Sequence, residues 1–146
     1  MEQEKARISD AEWAVMRVVW SQPQASSQEI IALLQQKKDW QPTTIKTLLG
    51  RLIKKNMVGT QKDGKRYLYF PLVSEQESFI SATENLFAHI CSKKIGKTIA
   101  QLIDDATLTH QDIALIETSI KNKKTQAVDS IACNCIPGLC ECKTHC

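Results

Sequence analysis

The chain has 146 residues, of which 42% are hydrophobic and 24% charged, with a net charge of +3. That balance excludes a disordered polyelectrolyte, and the length suits one domain or a small domain with an oligomerisation element. No apolar run approaches the ~20 residues of a membrane helix, and "MEQEKARISD" lacks the apolar stretch of a secretory leader, so a cytoplasmic protein with no membrane attachment is expected.

Ser9-Asp-Ala-Glu12 has the form of a capping box, with Val15, Val18 and Val19 following at helical spacing among Trp13, Met16 and Trp20. A helix is predicted from about Asp10 to Ser21. A second box, Ser26-Ser-Gln-Glu29, opens a helix through Ile30, Ile31, Leu33 and Leu34 to about Lys38. A third helix carries Ile45, Leu48, Leu49, Leu52 and Ile53 on one face and stops near Asn56. The period then falls to two, and Asp63-Gly64 marks a tight turn between two short strands. Three helices followed by a basic hairpin is the order of a winged helix-turn-helix module. Trp13, Trp20 and Trp40 read as packing residues, and His89 and His110 as structural or surface residues.

From Gln41 to Tyr69 there are seven basic residues against one acid, a local charge of +6 in a chain of net +3. Such a block suits either a polyanion or a solvated face. The outer face of the third helix presents Thr43, Thr44, Lys46, Thr47, Gly50, Arg51 and Lys54. Lys and Arg donate to guanine edges, and Thr offers a hydroxyl and a methyl. Thr43, Thr44, Lys46, Thr47, Arg51 and Lys54 are therefore candidate DNA contacts, with Lys62, Lys65 and Arg66 of the hairpin facing phosphates. Gly50 reads as a tolerated surface glycine. Lys54 and Lys55 also suit the helix C-terminus electrostatically.

A third box, Ser74-Glu-Gln-Glu77, restarts helical structure, and Phe79, Ile80, Thr83, Leu86, Phe87, Ile90 and Cys91 trace one stripe. Cys91 reads there as a small buried hydrophobe, with a ligand or redox role as the alternative. Ile99, Leu102 and Ile103, then Ile113, Ile116 and Ile120, mark two further helices. These are too short to build a large core of their own, so either a second copy covers them in a homodimer or they fold back onto the first module.

The chain ends in "CNCIPGLCEC", two Cys-x-Cys pairs around Pro-Gly, followed by His145 and Cys146. Residues two apart on an extended strand point the same way, and the turn folds one pair onto the other. Cys133, Cys135, Cys140 and Cys142 are thus candidate metal ligands. Four thiolates suit tetrahedral Zn(II), with Zn–S near ~2.3 Å, and the same soft sulfurs select Cu(I). No nucleophile–base pair or phosphate loop suggests an enzyme. Metal storage or transfer, and a thiol redox sensor that binds DNA, are the other functions this tail fits.

"SDAEWAVMRVVW", "TTIKTLLGRLIKKNMV" and the hairpin resemble the winged-helix repressors of the BlaI/MecI family from Ile8 to about Lys123. The Cys-x-Cys-x4-Cys-x-Cys tail departs from the penicillinase and methicillin regulators and is similar to the CopY-type copper-responsive repressors. The resemblance implies a mainly α fold: a winged-helix DNA-binding domain (1–73), a helical dimerisation domain (74–126) and a cysteine-rich metal-binding tail (127–146). It implies a homodimer that represses a copper-transport operon from an inverted-repeat operator of double-stranded DNA. Zinc would support the bound form and Cu(I) would release it, with a copper chaperone as a candidate carrier of Cu(I).

Overall fold

The structure is a computed structural model and describes residues 7–136. Its first helix, α1 (Asp10–Ser21), opens on the reciprocal capping box expected for it. The Ser9 side chain accepts from the Glu12 amide, and the Glu12 carboxylate accepts from the Ser9 amide, both at 3.2 Å. The second helix, α2 (Ser27–Gln35), starts from the same device at Ser26 and Glu29 and ends short of the predicted Lys38. Each box satisfies amide donors that the helix itself leaves unpaired.

Helix α3 (Pro42–Lys54) begins with proline at its first turn, where a missing N–H costs nothing. It ends in a Schellman motif. Met57 N donates to Leu52 O and Asn56 N to Ile53 O, both at 3.0 Å, while Asn56 takes a positive φ of 59°. The buried side chains of Met57 and Leu52 flank this turn, which sends the chain directly into the sheet. Of the five aliphatics predicted for the inner face of α3, Ile45, Leu48, Leu49 and Leu52 are buried. Ile53 is exposed, because it lies at the edge of that face.

The wing is a hairpin of β2 (Val58–Asp63) and β3 (Arg66–Pro71), paired from Val58↔Pro71 to Asp63↔Arg66. Its two-residue turn is therefore Gly64-Lys65. Gly64 alone has positive φ there (63°), which matches the turn type that places glycine at the first central position. Two strands were expected, but the sheet has three. β1 (Ala25–Ser26) adds to β3 through Ala25↔Tyr69 and Ser26↔Leu68, giving the order β1-β3-β2. The two residues that precede α2 thus tie the helices to the wing.

Val15, Met16, Val19, Ile30, Leu34, Ile45, Leu48, Leu49, Leu52 and Val58 form one core among α1, α2, α3 and the sheet. Burial of each large aliphatic side chain contributes roughly 1.5–3 kcal/mol relative to exposure. Trp13 and Trp20 pack together and against Phe79 of α4 (Glu75–Phe87), with ring centroids 5.5–6.3 Å apart. Trp20 also donates its indole N–H to Val73 O at 3.0 Å, which satisfies its one polar atom.

The chain forms two compact units that divide between Glu84 and Asn85. The second contains a 3-10 turn (Ser92–Lys94) leading into α5 (Ile95–Asp105), then α6 (His110–Lys124) behind a Thr109–Asp112 capping box. α4 ends at Phe87, so Ile90 and Cys91 lie beyond it and do not continue its apolar stripe. No helix among the described residues is long and apolar enough to cross a membrane.

Candidate nucleic-acid interface and sulfur cluster

The outward face of α3 presents the side chains expected of it. Thr43, Thr44, Lys46, Thr47, Arg51 and Lys54 are all exposed, opposite the buried Ile45, Leu48, Leu49 and Leu52. The first turn carries no acidic residue to offset the positive end of the helix. Thr47 donates its hydroxyl to Thr43 O at 2.9 Å. Its methyl and the two lone pairs of its oxygen are what it offers outward.

Lys62, Lys65 and Arg66 are exposed around the wing tip, but they are not equivalent. Arg66 donates to Asp63 Oδ2 at 3.3 Å across the turn, so part of its charge is offset within the wing. Its charge also helps hold the Glu29 carboxyl below the usual carboxylate range, after the larger effect of the Ser26 hydrogen bonds.

Lys55 departs from the basic block. Its ammonium bonds the buried Glu12 carboxylate and the Arg7 carbonyl, each at 2.6 Å. It thereby compensates an acid inside the helical core, and the Lys54–Lys55 pair separates into one outward and one inward cation. Helical geometry requires this, since adjacent residues lie about 100° apart around the axis.

The second unit holds a group of sulfurs. Cys91, Cys133 and Cys135 place their Sγ atoms within 4.8 Å of one another, and Cys91 and Cys133 are 3.4 Å apart. The Cys135 amide donates to Cys133 Sγ at 3.3 Å, the local geometry of a Cys-x-Cys pair. Ser92 grips the same segment by donating twice: N to Asn134 Oδ1 at 2.9 Å and Oγ to Ala132 O at 2.6 Å. The Cys135 thiol is pushed up to about 12 from 9.0, first by its hydrogen bond with Cys133 and then by that with Cys91. Clustered sulfurs resist carrying adjacent negative charges, and a bound cation reverses that preference.

The donor set fits a thiophilic metal. Tetrahedral Zn–S bonds of ~2.3 Å require sulfurs about 3.8 Å apart, and the three present span that spacing. Cys133 and Cys135 are therefore brought together as expected of the tail, while Cys140 and Cys142 lie outside the described residues, as do His145 and Cys146. Cys91 joins Cys133 and Cys135, although its place in an apolar run favoured packing over a ligand or redox role. It is buried, but against sulfur. The available signal was that it is the chain's one cysteine outside the last fourteen residues.

A family model described as Penicillinase repressor matches residues 8–122, ending before the tail cysteines. An uncharacterized 16.5 kDa protein from the ptsI 3′ region of Latilactobacillus sakei is 46% identical over 136 residues, covering 93% of each chain. The methicillin resistance regulatory protein MecI of Staphylococcus aureus (strain N315) is 32% identical over 124 residues, covering 85% of this chain and all of MecI. A solved structure of the CopR repressor is 46% identical over 47% of this chain and 100% of its own, with a TM-score of 0.41. On the family match and the full-length similarity to MecI, the chain belongs to the penicillinase repressor (BlaI/MecI) family of winged-helix DNA-binding transcriptional repressors, which are regulators and not enzymes.

Proposed function

We propose that the chain is a copper-responsive repressor. Its homodimer binds an inverted-repeat operator of a copper-transport operon in the zinc form and leaves it when Cu(I) replaces zinc at the Cys-x-Cys-x4-Cys-x-Cys tail. The observation that carries this reading is the convergence of three cysteine sulfurs within 4.8 Å in a repressor of this family. Soft thiolates favour both Zn(II) and Cu(I), but the two ions take different numbers of sulfurs, so exchange changes the tail's shape.

The DNA-contacting set is Thr43, Thr44, Lys46, Thr47, Arg51 and Lys54 for the major groove, with Lys62, Lys65 and, more weakly, Arg66 on the backbone. Their common exposure supports this assignment. The dimer is supported by the apolar residues exposed on the second unit. Ile99 and Leu102 of α5 and Ile113, Leu115 and Ile120 of α6 are all exposed, and Cys91 is the one buried hydrophobic residue there among those described. A second copy of the same helices would cover these side chains.

The energies are sufficient. A structural zinc site supplies ~10–16 kcal/mol of apparent binding energy, whereas coupling between sites typically needs ~1–3 kcal/mol. The test is operator binding by the zinc-loaded chain while Cu(I) is titrated anaerobically. Operator affinity should fall as Cu(I) displaces zinc. Displacement with unchanged DNA affinity would refute the switch. Replacement of Cys133, Cys135, Cys140 and Cys142 by serine should remove the response and leave the winged helix folded.

The 3.4 Å separation of Cys91 and Cys133 favours one second reading, a thiol redox sensor. It requires a two-electron oxidant to join the two sulfurs with loss of two protons. That reading predicts that diamide, with no copper present, releases the operator.

A further inference from the structure

We propose that Cys91 is itself a ligand of the tail's metal site, so that metal binding fastens the tail to the start of α5. The inference rests on the metal-sensing reading above and adds a residue outside the four-cysteine motif. Its first support is geometric: the Cys91 sulfur lies 3.4 Å from that of Cys133, and both lie within 4.8 Å of that of Cys135. One ion at the centre of such a triangle reaches all three sulfurs at ordinary metal–thiolate distances.

The second support is the way the segment is held. Ser92, the next residue after Cys91, bonds both Ala132 O and the Asn134 side chain. These contacts lie on either side of Cys133 and set its sulfur against Cys91. Adjacent residues thus perform two jobs: Ser92 aligns the tail segment and Cys91 supplies the ligand. A side chain that merely filled an apolar gap would not need the facing segment held at two points, one a backbone carbonyl and one a side-chain amide. Cys91 also occupies the N-cap position of the 3-10 turn that runs into α5, its carbonyl accepting from Lys94 N at 2.8 Å.

The third argument concerns what such a ligand accomplishes. Cys133 and Cys135 are two residues apart, and a site made from the tail alone would constrain only the tail. Cys91 and Cys133 are 42 residues apart, and the intervening chain contains both α5 and α6. A metal bond across that separation closes a loop around the two helices whose exposed apolar faces await a second copy. It restricts the unfolded chain and favours the folded helical unit, as other long-range cross-links do. Cys91 is then the physical route by which exchange of one metal for another at the tail reaches the dimer interface.

The test uses the full chain and Co(II), added anaerobically as a spectroscopic substitute for Zn(II). The wild type is compared with Cys91→Ser, Cys91→Ala and Cys133→Ser. Both Cys91 variants should bind Co(II) at least tenfold more weakly and lose intensity in the sulfur-to-cobalt charge-transfer band. Wild-type affinity and band intensity in both, with Cys133→Ser impaired, would overturn the role of Cys91 and leave the tail site standing. If Cys133→Ser is also unimpaired, the metal-sensing reading fails and takes this inference with it. A measurement independent of variant folding is the 13Cβ resonance of Cys91 in the wild-type chain on addition of Zn(II). It should move to the range of zinc thiolates in step with that of Cys133, and a Cys91 resonance that stays in place while that of Cys133 moves overturns the proposal.

Discussion

Lys54 and Lys55 are neighbours of identical chemistry, and their alanine substitutions should have opposite consequences. Lys55 pairs with Glu12 at 2.6 Å, their side chains being 29% and 3% exposed respectively. In Lys55→Ala the Glu12 carboxylate keeps its bond from the Ser9 amide at 3.2 Å but loses the ammonium that pairs with it at 2.6 Å. Breaking a wholly buried pair costs about 3–5 kcal/mol, because a charge is left behind without compensation. Water reaches the Lys55 side of this pair, so the expected cost is about 2 kcal/mol, within the range for a hydrogen bond to a charged group. For a unit of this size each kcal/mol lowers Tm by about 4–8 °C, giving a fall of about 8–16 °C. Trp13, Trp20 and Trp40 all lie in the first unit, so tryptophan fluorescence during heating follows that unit specifically. Lys54→Ala should leave that transition within about 1 °C, since exposed positions contribute little to stability. It should instead reduce the salt dependence of operator binding, with the slope of log K against log salt falling by about 0.9 per half-site. The reasoning is refuted if Lys55→Ala leaves Tm unchanged and reduces the salt slope as Lys54→Ala does.

Lys62→Ala with Lys65→Ala should weaken binding to operator and unrelated DNA alike and reduce the salt slope, whereas Lys46→Ala with Arg51→Ala should lower the preference for operator over unrelated DNA; competition titrations distinguish the two patterns. Gly59→Val should destabilise the wing by about 1–3 kcal/mol in urea unfolding, because a Cβ there would lie 2.5 Å from Phe70 Cζ. Gly50→Ala meets nothing within 4 Å and should stabilise α3 by up to ~1 kcal/mol; a simultaneous loss of operator affinity would show that DNA approaches that backbone closely. Glu29 has a folded-state pKa below its ordinary 4.5, so its capping contribution is fully present above that value and is lost as pH falls through the folded pKa. Glu29→Gln should therefore be less stable than wild type at neutral pH, and the two should converge in acid when followed by circular dichroism.

Much of the first unit was legible because its signals are local. The boxes at Ser9 and Ser26 cap the helices they announce, the 3.6-residue period of α3 sets four of its five aliphatics inward, and the change to period two marks the wing. The outward threonines and basic residues of α3 follow from that same period. The features that escaped are those made by distant partners. β1 is two residues long, too short to show any period, and exists because β3 offers it an edge. In the second unit the helices were legible but the surroundings of Cys91 were not, since a buried cysteine in an apolar run has the same local pattern whether it touches carbon or sulfur.

Capping, periodicity and Cys-x-Cys spacing act over a few residues, so the helices, the hairpin, the winged-helix order and a tail of two Cys-x-Cys pairs were readable from the sequence, with the turn one residue later than Asp63-Gly64. Only the tertiary structure decided that Lys55 serves Glu12 from 43 residues away and that Cys91 meets Cys133 from 42 residues away. Those pairings depend on how the backbone returns to itself. Identical side chains a single position apart point in different directions, and the partner each one finds is set by elements far along the chain.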